Sequence, residues 1–355
     1  MSEFRRESQM GFRWGLLTTV SAIALLGIAY GAKASDNDRP PFWIELGGQF
    51  AQEQGDEEAF SPAFLSASPF DAASHTELEK NPPSSWDGTA KVSFEPVGTD
   101  WAFSASILYG KSNRSGLVSQ QTAHGSGHYG NVYQAYQIFK ARSSESHTVL
   151  DFQTGRDVGL GMLGRGGRST VNVGVRYAQF ESRSSASIQS QPTNIVASYG
   201  NYHKFYASFA AKRKFTGVGP SLSWDASADL IGNPSESVLT FDWGLNGAIL
   251  FGRQRTQIHH QTTNEGVTRH GPLGTYFYHY QISQTHASPG RSKQVTVPNF
   301  GGFAGVSWNY SDAKVTLGYR ADFFVGAMDS GIDAAKKEDV GFYGPFAAIS
   351  IGIGG

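Results

Sequence analysis

The chain has no cysteine. That one absence rules out a disulfide framework, a thiolate metal site and a cysteine nucleophile. Charge is also scarce: Asp, Glu, Lys and Arg make up 17% of the residues and leave a net charge of -1. A nucleic-acid binder would need a basic surplus, which this balance does not supply. The mean hydropathy of -0.32 excludes a bundle of membrane helices. It does not exclude a membrane β-barrel, whose lumen-facing half is polar. No G-x-S-x-G motif occurs, and no Ser/His/Asp set can be aligned from the spacing.

Glycine and aromatics are plentiful, with 43 Gly, 24 Phe, 15 Tyr and 7 Trp in 355 residues. Such a composition favours strands over helices. The length accommodates one large β domain or two average ones. The closing stretch, from Val295 to Gly355, shows the pattern most clearly. Val315, Leu317, Tyr319, Ala321, Phe323, Val325 and Ala327 alternate with Thr316, Gly318, Arg320, Asp322, Phe324 and Gly326. This is a period of two, with an apolar face opposite one that carries ions. Before it, Phe300, Ala304, Val306, Trp308 and Tyr310 form a similar strand, separated only by the tight turn Ser311-Asp312. After it, Tyr343, Ala347, Ile349, Ile351 and Ile353 repeat the alternation.

The N-terminus has the form of an export signal. Arg5, Arg6 and Arg13 precede an apolar stretch from Trp14 to Tyr30, followed by Ala32-Lys33-Ala34. A charged region, an apolar region and an A-x-A site predict a signal peptide over 1–34, exported by general secretion, and a mature domain over 35–355. An uncleaved helical anchor is the rival reading.

Seven strands are expected before the closing three: Phe42–Ala51, Asp87–Glu95, Trp101–Tyr109, His147–Val158, Val171–Tyr177, Tyr202–Leu230 and Leu239–Phe251. Within the sixth, Phe205, Ala207, Phe209 and Ala211 have the opposite parity to Leu222, Trp224, Ala226 and Ala228, which predicts a bulge near Lys212–Gly219. The segments Gln52–Ser85, Ser112–Ser146, Ser182–Tyr199 and Gln254–Lys293 are expected to be long loops, with Val132–Ala141 able to extend a neighbouring strand. Long and short connections alternate, as in an outer-membrane barrel with short periplasmic turns and free extracellular loops. The expected fold is therefore all-β, a transmembrane antiparallel β-barrel of about ten strands, within a range of roughly eight to twelve. A soluble sandwich would carry charge on its outer face and would not place aromatics at both strand ends.

Candidate functional residues follow from the polar side of the strands. Glu45, Lys91, Glu95, Asp151, Arg176, Asp225, Asp229, Asp242, Arg320 and Asp322 are expected to line the lumen. Their acidic excess would favour cations at a constriction, unless they pair across the barrel and plug it. Gly159-Leu160-Gly161-Met162-Leu163-Gly164 matches G-x-G-x-x-G, but a strand rather than a helix follows, so turn glycines are the better account. His259, His260, His270, His279 and His286 cluster in the last large loop without metal-ligand spacing. Tyr276, Phe277, Tyr278 and Tyr280 beside them suit an adhesive surface or an aromatic girdle.

Three stretches carry a family likeness: Trp243-Gly244-Leu245-Asn246-Gly247-Ala248-Ile249-Leu250-Phe251-Gly252-Arg253, then Lys314 to Asp322, then Gly341-Phe342-Tyr343-Gly344-Pro345-Phe346. Together they resemble the Legionella major outer-membrane-protein family of pore-forming proteins. The resemblance implies a Gram-negative outer-membrane barrel and a porin, with no catalytic residues to carry over. Two features depart from that pattern: the chain finishes Ile353-Gly354-Gly355 rather than on an aromatic residue, and without cysteine it cannot form a disulfide-linked assembly. The expected function is a passive pore for small solutes, not an enzyme and without cofactor. Its expected partners are outer-membrane lipid and lipopolysaccharide, the outer-membrane insertion machinery, small solutes and copies of itself, with no nucleic acid. A rim hydrolase using His259, His260 or His270, and a surface adhesion or structural barrel, are the competing readings.

Overall fold

A computed structural model describes residues 41–54, 84–96, 98–126, 132–158, 168–192, 202–233, 237–270, 277–287, 290–331 and 334–353. The expected signal peptide over 1–34 and the Gly159–Gly164 motif lie outside them. Eleven strand segments appear among the described residues. They are β1 (Phe42–Gln54), β2 (Ser84–Phe94), β3 (Trp101–Ser126), β4 (Val132–Asp157), β5 (Ser169–Pro192), β6 (Tyr202–Asn233), β7 (Ser237–His270), β8 (Phe277–Ala287), β9 (Gly290–Tyr310), β10 (Ala313–Asp329) and β11 (Lys337–Ile353).

Each strand pairs antiparallel with its neighbour, and β1 pairs with β11 from Phe42↔Ile353 to Gln54↔Gly341. β6 also pairs with β7, so the sheet closes on itself. Strand β7 meets β9 along Val238–Gln257 and β8 along His260–His270. β8 and β9 are therefore two lengths of one wall position, and the structure is a closed ten-stranded antiparallel barrel. Closure gives each of the ten wall positions two neighbours, while β8, the outer length of its position, pairs with β7 alone.

Alternation decides which way each residue points. On β10, Leu317 is 62% exposed while its neighbour Thr316 is 6% exposed. Phe50, Trp86, Tyr109, Phe152, Leu222, Phe251, Phe300 and Ile351 are likewise exposed on the outer wall. Buried in a soluble fold, each would be worth about 1.5–3 kcal/mol, so a water-soluble chain would not leave so many outside. Aromatics stand at both ends of the apolar band, as Phe50 and Trp86 do at one end and Phe94, Trp308 and Tyr310 at the other.

The expected turn Ser311-Asp312 is present, with Ser311 in the left-handed region at φ 49° and Gly352 N–H donating to the Asp312 carbonyl at 2.7 Å. Two sequence expectations are corrected. Ser112–Ser146, Ser182–Tyr199 and Gln254–Lys293 are not loops for most of their length: β3, β4, β5, β7 and β8 run on through them. Strand length beyond the lipid needs no apolar face, so the period-two signal fades there while pairing continues. Val132–Ala141 does extend its neighbour, as part of β4.

The second correction concerns the bulge. From Tyr202↔Val267 to Asp229↔Thr240 the β6–β7 register is unbroken, and the irregularity lies at Leu230, between Asp229 and Ile231. The parity switch in β6 has another cause. Ala211 and Phe215 point into the lumen and are buried there, whereas Leu222 points out at 56% exposure. The apolar face moves from outside to inside because the lumen itself becomes apolar at that height.

At the outer end, β10 bulges between Phe324 and Met328 around Gly326, which has φ +65°. Gly326 N–H donates to Asp339 Oδ1 at 2.7 Å, and its carbonyl accepts from Gln254 Nε2 at 2.8 Å. An added Cβ would meet nothing closer than Lys337 Cδ at 3.6 Å, so only the backbone resists substitution. Gly326→Ala should lower barrel stability by about 1–2 kcal/mol, read from its unfolding midpoint in detergent. The turn beyond it is held by Asp329, which accepts from Arg291 Nε at 2.9 Å, Lys336 N at 2.9 Å and Gly331 N at 3.2 Å. Burial works against the charged carboxylate, yet these donors outweigh it and hold its pKa below the ordinary value. A depressed pKa contributes stability above the unfolded value, about pH 4, which is lost as the pH falls through the folded value. Hydrogen-exchange protection of the Gly331 and Lys336 amides should therefore survive mild acid and fail in strong acid, and Asp329→Asn should remove it at neutral pH.

Candidate functional site: the barrel lumen

The inward residues of the ten strands form stacked tiers. The lowest, next to the short turns, encloses a cavity of about 390 Å³. Its lining includes five carboxylates (Glu45, Glu95, Asp151, Asp225, Asp242) and five cations (Lys91, Arg168, Arg176, Lys314, Arg320). Many are already paired. Lys314 Nζ lies 2.5 Å from Asp242, Arg168 Nη1 lies 2.5 Å from Glu95, and Arg320 Nε lies 2.7 Å from Asp322. Asn172 donates to Asp225 at 2.9 Å, and Ser350 donates to Glu45 at 2.8 Å. Inside the wall, Asp225 stands beside Gly244, where a side chain would strike both its carboxylate and the Phe303 ring.

A polar network roofs this cavity. Arg176 on β5 grips Asp151 on β4 with two parallel bonds, Nε to Oδ1 at 2.7 Å and Nη2 to Oδ2 at 2.8 Å. Its Nη1 reaches across to Asn246 on β7 at 2.7 Å and to Asn299 on β9. Asn246 donates onward to Asp322 on β10 at 3.2 Å. The side chain is only 3% exposed, and this bidentate partner compensates its charge.

Above the network the lumen turns apolar on strand after strand. Arg176 is followed outward by Ala178 and Phe180, Asn246 by Ala248 and Leu250, Asn299 by Val297, Asp151 by Val149 and Asp322 by Phe324. Phe180 meets Phe324 with ring centroids 4.7 Å apart and Phe342 at 5.7 Å, while Phe215 lies 5.7 Å from Phe180. Strand β5 faces β11 across the barrel, so the Phe180–Phe342 contact spans the bore. All four rings are buried, and Phe215 and Phe324 have no exposed surface. The rings fill the lumen at this height.

A second polar tier caps the first apolar one. His147 stacks on Phe342 at 3.7 Å between centroids, with Nε2 3.1 Å from Asp87 and Nδ1 3.6 Å from Glu53. Ser85 donates to Asp87 at 2.5 Å, and Ser112 donates to Glu53 at 2.9 Å. Since the Ser85 hydroxyl engages the carboxylate and not the imidazole, this is no nucleophile–base pair. Among the described residues no group of three His, Asp or Glu side chains is placed to hold a metal.

The family pattern described as Legionella pneumophila major outer membrane protein precursor matches residues 111–353. The chain belongs to this family. No curated protein matches it. Among solved structures it is similar to the translocator domain of the autotransporter NalP from Neisseria meningitidis, at 11% identity over 95% of this chain and 96% of that one, with a TM-score of 0.30. It is also similar to the Pseudomonas putida toluene transporter TodX, at 9% identity over 89% of this chain and 90% of that one, with a TM-score of 0.24. Likenesses that distant carry no argument, and the fold rests on the strand pairing itself. Membership in the Legionella family places the barrel in the outer membrane, with its short turns toward the periplasm and its long hairpins outside.

Of the ten residues expected in the lumen, Glu45, Lys91, Glu95, Asp151, Arg176, Asp225, Asp242 and Arg320 line the cavity of this family member. Asp322 lies in its roof, while Asp229 is exposed at the periplasmic end opposite Thr240. The acidic excess of that set does not describe the cavity, because Arg168 and Lys314 also enter it. Arg168 stands just before β5 and Lys314 is the second residue of β10, at strand starts where little alternation precedes them. The aromatic tier was also missed, although Phe324 occupies an inward position between Asp322 and Gly326. His259 is exposed on β7, and the backbones of His260, His270, His279 and His286 fall on the β7–β8 hairpin; Tyr276 lies outside the described residues. Asp151→Ala strips Arg176 of its counter-charge and should destabilise the barrel by about 3–5 kcal/mol. Urea unfolding in detergent measures that loss, and adding Arg176→Met should recover part of it.

Proposed function

We propose that this protein is a passive channel for small polar solutes, performing no chemistry on them, with the aromatic tier as its gate. The observation that supports the reading is the polar chamber of about 390 Å³ inside a closed ring of strands, lined by equal numbers of acids and bases. A barrel with a purely mechanical role needs no such chamber. Filling the bore with apolar side chains would avoid the cost of burying so many charges. In the described state the bore is shut by Phe180, Phe215, Phe324 and Phe342, a hydrophobic constriction of the kind that gates by excluding water. Balanced charge in the chamber implies weak selectivity between cations and anions. A static barrel that displays its extracellular hairpins is the second reading, and the packing of the four rings favours it.

Planar-bilayer recording separates the two. Wild-type protein should give rare, small steps, and Phe180→Ala with Phe324→Ala should give frequent, larger ones. Each truncation costs about 3–5 kcal/mol, so the heat-induced gel shift must first show the variant folded, with Phe324→Leu as the milder substitute. In the opened background, Arg320→Glu should shift the reversal potential toward cation selectivity. Silence from every folded variant would sink the channel and leave the static barrel.

A further inference from the structure

On β5, β6 and β7 the outer wall changes character just above its last apolar residues. Outward from Tyr177, β5 presents Gln179, Glu181 and Arg183; beyond Val218, β6 presents Thr216, Lys214 and Lys212; beyond Phe251, β7 presents Arg253 and Arg255. These side chains face away from the lumen, because the residues between them (Ser182, Arg213, Phe215, Gln254 and Thr256) are the buried inward ones. Pairing draws them into one patch: Glu181 sits opposite Lys214, Lys214 opposite Arg255, Arg183 opposite Lys212, and Thr216 opposite Arg253.

The patch holds five cations and one carboxylate. Glu181 contacts Arg183 at 2.7 Å and Lys212 at 3.7 Å. Burial opposes its charge, but the Arg183 bond and the fields of Lys212 and Lys214 keep its pKa below the ordinary range, so it stays ionised. Lys214 and Arg255 are like charges directly opposite each other, an arrangement that destabilises a strand pair unless an anion lies between them. A strand rises about 3.3 Å per residue at a tilt of roughly 40°. Lys214, Arg253 and Arg255 therefore stand about 5–10 Å above Val218 and Phe251, which is the height of the headgroup layer. Apolar side chains lie directly below the cations, so the wall matches an amphiphile with anionic heads over acyl chains.

We infer that this patch binds the phosphates of a phosphorylated glycolipid of the outer leaflet, the lipid A part of lipopolysaccharide, with Lys212, Lys214, Arg253 and Arg255 as the donors. Lysine and arginine make charge-assisted bonds to phosphate oxygens, and the acyl chains rest on Val218, Leu222 and Phe251. The inference depends on the barrel sitting in the outer membrane with its hairpins outside. The state of the bore does not enter.

The test is native mass spectrometry of the full refolded chain in detergent with three probes: bisphosphorylated lipid A, dephosphorylated lipid A, and inorganic phosphate as competitor. Wild-type protein should retain bisphosphorylated lipid A and release the dephosphorylated form, and inorganic phosphate should not displace the lipid. Combining Lys212→Ser, Lys214→Ser, Arg253→Ser and Arg255→Ser should weaken binding by at least about a hundredfold, taking roughly fivefold per cation removed. Should that variant fail to fold, the pairs Lys212→Ser with Lys214→Ser and Arg253→Ser with Arg255→Ser should each weaken it by about tenfold or more. Unchanged affinity in the folded variants, or equal retention of dephosphorylated lipid A, would overturn the assignment. Displacement by inorganic phosphate would overturn it too, since the site would then recognise a free anion and not a lipid.

Discussion

No backbone amide or carbonyl can go unpaired in hydrocarbon, and the rest of this structure follows from that constraint. Each unsatisfied group would cost several kcal/mol there. The cost is avoided because β1 finds β11, the first and last strands in sequence, and β6 finds β7, so the ring of strands closes. Once the cylinder is closed, alternation allots each residue to lipid or lumen. A strand with Leu317 outside must put Thr316 and Gly318 inside.

What fills the interior is decided by cost. Charges in the lower half survive because they are matched: Arg176 with Asp151, Arg320 with Asp322 and Lys314 with Asp242. Breaking any such pair leaves a charge stranded where water is restricted. Higher up, the solution is apolar. Phe180, Phe215, Phe324 and Phe342 need no hydrogen-bond partners and pack on one another across the bore. The two solutions meet at the Arg176–Asn246–Asp322 network, whose outward neighbours are Ala178, Ala248 and Phe324.

How much was legible in the sequence depended on where lipid imposes a pattern. Val315 to Val325 could be read because one face must be apolar throughout the membrane; Ala327, expected on the same face, lies in the bulge and is buried. Ser112 to Ser146 could not be read, because strands outside the membrane pair through their backbones whatever their side chains are. The parity switch of β6 was visible but has a different meaning: Phe215 marks an apolar lumen, and the register of the strand holds from Tyr202 to Asp229. Most lumen charges could be found by parity alone. Arg168 and Lys314 were overlooked, since each lies at the very start of a strand, Arg168 just before β5 and Lys314 second in β10. Nor can alternation tell an inward Phe324 in a tier of rings from an isolated one, because the partners Phe180 and Phe342 come from distant strands.

The tier of rings has a plane of division. Phe180 and Phe215 belong to the adjacent strands β5 and β6, while Phe324 and Phe342 belong to the adjacent strands β10 and β11. Two leaves, each a single hairpin, thus meet edge to edge like shutters, latched above by Arg213 donating to the Ser330 carbonyl at 3.0 Å. Swinging either leaf aside parts all the contacts between the two pairs at once, whereas shifting any other strand leaves the shutters meeting.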